Sequence, residues 1–453
     1  MRVSLASPLM LPIVSFAAAI LLGGILLAHP VSEGSTEVSL LDGLFTATSA
    51  VCVTGLAVVD TGTAFSPVGH GVLLSLIQAG GLGIMTFASL AFYLWRHRVS
   101  LTDRIAVGQT LLHDQGFHLG RFLVALFAGV FGIEALGALA LHLADPQGFP
   151  VFGAVFHSIS AFCNAGFGLY SDSLMQWRGD WAVNGIVMLL IILGGLGFST
   201  LTELAMVLPR RLRHRHMTLQ PRLSFHTRLV LRASAWLIVG GWVAILFMEV
   251  MTDIRIGHLE TDDFLLAALF QSVTCRTAGF NTVDIASLSS ITLLFMMFLM
   301  FVGGSPGSTA GGIKTTTFRV ILGFIGSQLR RREQTVVGNR AVDADTLNRA
   351  IILTIFSVLA VLAAIMALCI TEAGGTDRMV RERFLDLAFE AVSAFGTVGL
   401  STGVTPTLSA PGKVVIMLLM FTGRLGPIVF LSVMQSWQRS PRYRWADERC
   451  MIG

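Results

Sequence analysis

Charge is scarce in this 453-residue chain. Asp, Glu, Lys and Arg together make up 13% of it and apolar residues 54%, with a mean hydropathy of +0.74. A soluble protein carries roughly 25% charged residues, so the deficit excludes an ordinary water-facing surface and puts most of the chain in lipid. Low-complexity tracts are missing too, as is any polar block large enough for a separate soluble domain. Five cysteines, Cys52, Cys163, Cys275, Cys369 and Cys450, show neither C-x-x-C spacing nor an accompanying histidine pattern. That argues against a metal site or a disulfide framework, and they read as small apolar residues packed in helices. No glycine-rich nucleotide fingerprint follows a strand, so the chain itself senses neither ATP nor NAD and is expected to bind no cofactor. No His, Asp and Glu side chains gather at repeated or convergent positions, which speaks against a membrane enzyme. The net charge of +4 belongs with membrane topology rather than with nucleic acid.

A bilayer is spanned by about 20 apolar residues, and eight such spans fit in this length with room for loops. Arg2 and the apolar run to Ala28 could be a secretory signal. The run exceeds a signal's apolar core of about 7–15 residues and no small-x-small site follows, so a retained first helix is expected.

The dominant pattern is internal repetition. Four segments align without gaps: TSAVCVTGL (48–56), ISAFCNAGF (159–167), SVTCRTAGF (272–280) and VSAFGTVGL (392–400). Each ends in a glycine followed by a large apolar residue, at a nearly constant period of about 115 residues. A second small-residue cluster follows each: GGLG (80–83), GGLG (194–197), GGSPG (303–307) and GRLG (423–426). An apolar helix precedes each, at 8–28, 120–143, 229–251 and 350–370. Between helix and glycine lie half-helices at 40–51, 151–162, 263–274 and 384–395, too short to span and suited to re-entrant segments. The expected units are 1–96, 97–210, 211–330 and 331–453. The fold class is an all-α membrane protein, with eight spans and four half-helices in pseudo-fourfold array.

Basic residues fix an orientation. Arg96, Arg98, Arg104 and Arg121, then Arg210, Arg211, Arg213, Arg215, Arg222 and Arg228, then Arg330, Arg331, Arg332, Arg340 and Arg349 mark the linkers between repeats. Arg439, Arg442 and Arg444 mark the tail. The segments entering the half-helices are more acidic, although Arg378, Arg381 and Arg383 depart from this in the fourth. Both termini and all linkers are therefore expected in the cytoplasm, with the glycine-ended segments approaching from outside.

Irregular backbone at membrane depth is tolerated only against protein or water, so four re-entrant loops need one shared aqueous axis. Glycine lets backbone carbonyls turn inward, and a carbonyl ring can replace the hydration shell of potassium. The expected ion-binding set is Gly55, Gly166, Gly279 and Gly399 with the backbone of Val53, Thr54, Asn164, Ala165, Thr277, Ala278, Thr397 and Val398. The side chains of Thr54, Asn164, Thr277 and Thr397 are expected to pin the loops rather than meet the ion, and Arg276 to brace the third loop. The clusters at Gly80, Gly194 and Gly423 read as helix-packing surfaces.

On these residues the chain resembles the Ktr/Trk/HKT superfamily of potassium transporters, and within it the bacterial Ktr-type membrane subunit. The resemblance covers essentially the whole chain and implies one main ion site made by one glycine per repeat. Relatives with serine for the first glycine favour sodium, so Gly55 points to potassium. Transport of sodium or another monovalent cation on the same scaffold is the alternative. In the third repeat, Gly303, Gly304, Ser305, Pro306, Gly307, Ser308, Thr309, Ala310, Gly311 and Gly312 are too rich in helix breakers for a continuous helix. Similar proteins make of this an intramembrane gate below the filter, with Lys314 at its end. The resemblance places Arg424 beside the pore as an electrostatic barrier, where an unpaired charge would cost at least about 2.5 kcal/mol. It also implies a homodimer in the lipid bilayer of the cell inner membrane, on a cytosolic RCK-type ring that senses ATP/ADP or NAD(H). Sodium dependence stays open. The basic linkers suit docking of that ring, and positive-inside placement alone would produce the same charges. Glu134 and Glu249 lie in apolar helices, where neighbouring arginines would be natural partners, and Glu203 reads as a solvated or capping carboxylate.

Overall fold

In the computed structural model the described residues are 11–83, 119–213, 223–252, 260–372 and 377–437. Arg2, the linker arginines Arg96, Arg98, Arg104, Arg215 and Arg222, the tail arginines and Cys450 lie outside them. Four units follow one another, each of them helix, half-helix, helix. The first comprises α1 (Leu11–Leu27), α2 (Leu40–Val51) and α3 (Pro67–Gly81), and the second α4 (Leu119–Ala144), α5 (Val151–Cys163), α6 (Trp181–Leu196) and α7 (Phe198–Arg213). The third comprises α8 (Phe225–Met251), α9 (Thr261–Thr274), α10 (Ser290–Phe301) and α11 (Thr315–Leu329), and the fourth α12 (Ala344–Thr371), α13 (Asp377–Gly396) and α14 (Ala410–Trp437). A two-stranded hairpin, β1 (Val336–Val337) and β2 (Arg340–Ala341), joins the last two units.

Local chemistry sets the helix starts. Hydroxyls or carboxylates accept the free N–H groups of the first turn: Ser39 from Asp42, Ser66 from Gly69, Asp180 from Ala182 and Val183, Ser224 from Thr227, Ser289 from Thr292 and Asp343 from Thr346. Asn164, in the left-handed region at φ 58°, terminates α5. Glu203 also serves the start of α8, accepting from the Ser224 hydroxyl at 2.7 Å and from Thr227.

Among the described residues three helices are long and apolar enough to cross a membrane, within Leu126–Ala144, Phe225–Met251 and Ala344–Thr371; a fourth span is available if α6 and α7 count as one. Those two meet at 104°, with Gly197 at φ +86° between them. The sequence reads 194–197 as a packing surface within one helix, and the bend is a departure from that reading. The second helix of the third unit is broken between Phe301 and Thr315, across the glycine-rich segment. In the first unit α3 ends at Gly81, whereas α14 runs unbroken through Arg424.

The units close in a circle. The second helix of each one packs on the half-helix of the next: α3 on α5, α6 on α9, α10 on α13, and α14 back on α2. Lys413 of α14 and Asp42 of α2 reinforce the last joint with an ion pair at 2.7 Å. Small residues permit intimate packing inside each unit as well. A β-carbon on Gly80, Gly194 or Gly423 would collide with the carbonyl of Val51, Phe162 or Phe395, the residue four before each unit's repeat glycine.

Candidate functional site

The half-helices deliver four turns of the same shape to one place. Gly55, Gly166, Gly279 and Gly399 have φ of +95°, +70°, +83° and +91°. The residue two positions earlier is left-handed in every repeat: Val53 at 55°, Asn164 at 58°, Thr277 at 71° and Thr397 at 50°. For β-branched residues this is a sparsely populated conformation that costs of order 1–3 kcal/mol and persists only where the surroundings impose it.

The four glycines form a ring. A β-carbon on Gly55 would lie 2.6 Å from the Ala165 carbonyl oxygen and 3.0 Å from the Gly166 α-carbon. One on Gly166 would lie 2.8 Å from the Ala278 oxygen and 2.9 Å from the Gly279 α-carbon. On Gly279 it would lie 2.6 Å from the Val398 oxygen, and on Gly399 it would collide with the Thr54 oxygen, 3.0 Å from the Gly55 α-carbon. Each glycine therefore abuts the carbonyl that precedes the next glycine, all the way round. Only a residue without a side chain fits.

Hydroxyls one turn upstream hold these loops. Ser49 accepts from Gly55 N–H at 3.0 Å and Ser393 from Gly399 N–H at 3.1 Å. Ser160 donates to the Phe167 carbonyl at 2.7 Å and Thr274 to the Phe280 carbonyl at 2.6 Å. The expected pins behave otherwise: the buried hydroxyls of Thr54, Thr277 and Thr397 have no hydrogen-bond partner. The signal for the true pins was present, since serine stands at the second place of three of the four aligned segments. Arg276, almost fully buried, reaches the Ser234 carbonyl of α8 at 3.5 Å rather than the third loop's own backbone.

On one side of the ring opens a cavity of about 490 Å³ whose lining includes all four glycines, Asp60, Asp284, Asn281 and Ser401. Its two carboxylates come from the loops after the first and third turns and give the mouth negative charge that concentrates cations. Asp60 accepts from Ser171 of the second repeat, stitching adjacent loops. Behind the wall, buried Glu390 accepts from Ser401 and, at 2.6 Å, from Thr405. In the loop that leads into α5, Gly148 N–H, then the Trp177 indole at 2.9 Å, hold the Asp145 carboxyl below its ordinary pKa.

On the other side lies the glycine-rich segment. Its ends are joined by Gly303 N–H to the Ile313 carbonyl (2.9 Å) and Thr315 N–H to the Gly304 carbonyl (3.0 Å). It docks on the bend of the second unit through Ser305 N–H to the Gly195 carbonyl (3.0 Å) and Phe198 N–H to the Gly307 carbonyl (3.1 Å). Thr309 meets the Asn164 amide at 3.2 Å and the Phe162 carbonyl at 3.3 Å. Gly311 lies so close to Thr397 that a β-carbon would strike its hydroxyl. Lys314 donates to the Ala310 carbonyl at 2.6 Å. Arg424 donates to the carbonyls of Thr309 and Gly80, so one guanidinium ties the segment to the first unit. Glu134 takes Gln78 as its partner, at 3.1 Å, and not an arginine; Glu249 accepts from Ser289 N–H at 3.3 Å.

Lipid-suited helices arranged around a shared axis of backbone turns define a multi-pass membrane transport protein rather than an enzyme. The chain belongs to the TrkH family of cation transport proteins, which its residues 13–438 match. It is 38% identical to the Ktr system potassium uptake protein B of Bacillus subtilis over 95% of this chain and 94% of that one. It is 36% identical to the protein of the same name from Vibrio alginolyticus, over 92% and 89%. The potassium/sodium uptake protein NtpJ of Enterococcus hirae is 33% identical, over 99% and 97%. The crystal structure of the potassium transporter TrkH from Vibrio parahaemolyticus shares the fold at a TM-score of 0.73, with 18% identity, covering 96% of this chain and 87% of that chain.

Proposed function

We propose that the chain takes up potassium across the cell membrane through one channel-like pathway. The observation that carries this reading is the closed ring in which each repeat's glycine abuts the carbonyl before the next. A cation enters the cavity past Asp60 and Asp284 and loses water at the ring. The carbonyls of Thr54, Ala165, Ala278 and Val398 replace that water, and the four half-helices add the negative ends of their dipoles. The segment 303–314 and Arg424 form the gate beneath. Eight spans, four repeats bounded as 1–96, 97–210, 211–330 and 331–453, and cytoplasmic termini complete the architecture. A second copy and a cytosolic nucleotide-binding ring control the gate. The names of two relatives favour potassium, and that of the third keeps joint potassium and sodium transport as a second reading.

Rubidium and sodium flux into liposomes containing the purified chain tests the proposal. Rubidium flux should exceed sodium flux at least tenfold, and Gly166→Ser should narrow the ratio. Equal fluxes in the unaltered protein would sink the filter assignment.

A further inference from the structure

Away from the ring, four arginines share one cavity. Arg228 and Arg232 lie one turn apart on α8, Arg319 comes from α11 and Arg340 from the hairpin, around a space of about 170 Å³. No carboxylate lines it among the described residues. Arg340 is held with its guanidinium 5.6 Å from the centre of the Phe225 ring, and the Nε of Arg319 is buried with no acceptor. Val336 N–H, bound to the Ser327 hydroxyl at 3.0 Å, anchors the hairpin that presents Arg340. Glu203, the nearby carboxylate at the start of α8, is engaged by Ser224 and Thr227 instead. Such a cradle fits a phosphate group.

The same face of α8 continues as something different. Stepping by one helical turn from Arg232 reaches Trp236, then Gly240, Val243 and Phe247. Trp236, Val239, Val243 and Phe247 are all more than half exposed, and Gly240 faces open space. With Ala244 they line an apolar furrow of about 480 Å³. From Trp236 to Phe247 the furrow runs about 16 Å along the helix axis, one leaflet's share of a hydrocarbon core of about 30 Å. Tryptophan at the junction of a basic and an apolar zone suits the membrane interface.

We infer that this face of α8 binds one anionic phospholipid, its phosphate in the arginine cradle and an acyl chain in the furrow. The continuity of the two halves selects a lipid over a free anion, since phosphate or a nucleotide would leave the furrow unused. The inference rests on α8 spanning the membrane, not on the ring conducting an ion.

The test is native mass spectrometry of the full chain in detergent, titrated with phosphatidylglycerol or phosphatidylcholine. Phosphatidylglycerol should be retained at least fivefold more than phosphatidylcholine. The double variant Arg228→Gln/Arg232→Gln should lose that preference. Gly240→Trp, placed in open space, should lower retention of phosphatidylglycerol without unfolding the helix. Millimolar inorganic phosphate should leave the bound lipid in place. Equal retention by the arginine variant would overturn the proposal, as would displacement by phosphate, which indicates a free-anion site. If Gly240→Trp kept the lipid and split a dimer into monomers, the furrow would belong to a second copy and the inference would fail. Each readout is available in a protein whose uptake has been abolished, so it is independent of the transport reading.

Discussion

The two sides of the glycine ring are built on opposite plans. Towards the cavity the four repeats agree: same two left-handed positions, same abutment of glycine on the neighbouring carbonyl, and a hydroxyl holding each loop, by accepting in the first and fourth and by donating in the second and third. Towards the other side the second helices of the last three units diverge: α6 turns through 104° into α7, α10 breaks before α11, and α14 continues intact. Fourfold agreement suits a task in which one ion must see equal ligands from every side. Divergence suits control, because a device that opens and closes needs a docking site that differs from its surroundings. The broken segment seats itself on the bend of one repeat and on the arginine of another, and it is the gate in the proposed function.

The largest expected effect breaks the symmetric side. In Gly399→Ala the added carbon meets the Thr54 carbonyl at φ +91°. Strain of this kind costs of order 1–3 kcal/mol, and it falls on the ring itself. Rubidium uptake in liposomes should drop at least tenfold. Gly403→Ala is the matched control: it has φ +89° but nothing within 4 Å, and it should transport nearly as well as the parent. If both variants lost uptake equally, backbone strain alone would explain the result and the close packing of the ring would not be its cause.

A middle-sized effect separates the two sides. Thr309→Val keeps the shape of the segment and removes its hydrogen bonds to Asn164 and the Phe162 carbonyl. One net hydrogen bond is worth about 1 kcal/mol, so basal rubidium flux should rise roughly fivefold with the rubidium-to-sodium ratio unchanged. Removing residues 305–310 should raise it further. A flux that stayed at the parent level after that deletion would take the segment out of control of the pathway.

The reading of half-helices was close because it used local signals. Residues 40–51 form α2 as expected, and 151–162 and 263–274 lie within a residue or two of α5 and α9, whereas α13 starts seven residues early, at Asp377. The bend at Gly197 escaped because GGLG at 194–197 reads as a packing cluster inside one helix, whereas the chain turns there and Phe198 N–H donates to the carbonyl of Gly307. That contact comes from a residue more than a hundred positions away and leaves no local trace. Glu134 was misread for the same reason: its partner Gln78 lies on another unit's helix. The arginine expectation came from charge alone, and a buried carboxylate is also satisfied by an amide donor. The breaking of α10 from α11 was legible, because five glycines and a proline in ten residues oppose a continuous helix.

The smallest expected effect sharpens the account of how the symmetric side is held. Ser49→Ala and Ser393→Ala remove equivalent acceptors from Gly55 and Gly399, each worth about 1 kcal/mol. Each should narrow the rubidium-to-sodium ratio by a few-fold, and the two by similar amounts, since the repeats are equivalent at this level. Thr54→Val should leave the ratio intact, because the hydroxyl it deletes is buried with no partner and an isosteric apolar group fills the same space without an unsatisfied atom. The contrast between the two residue types carries the test. If Thr54→Val damaged selectivity while the serine variants did not, the threonine hydroxyl would be a ligand of the passing ion rather than an idle group, and the ring would coordinate with side chains as well as with its backbone.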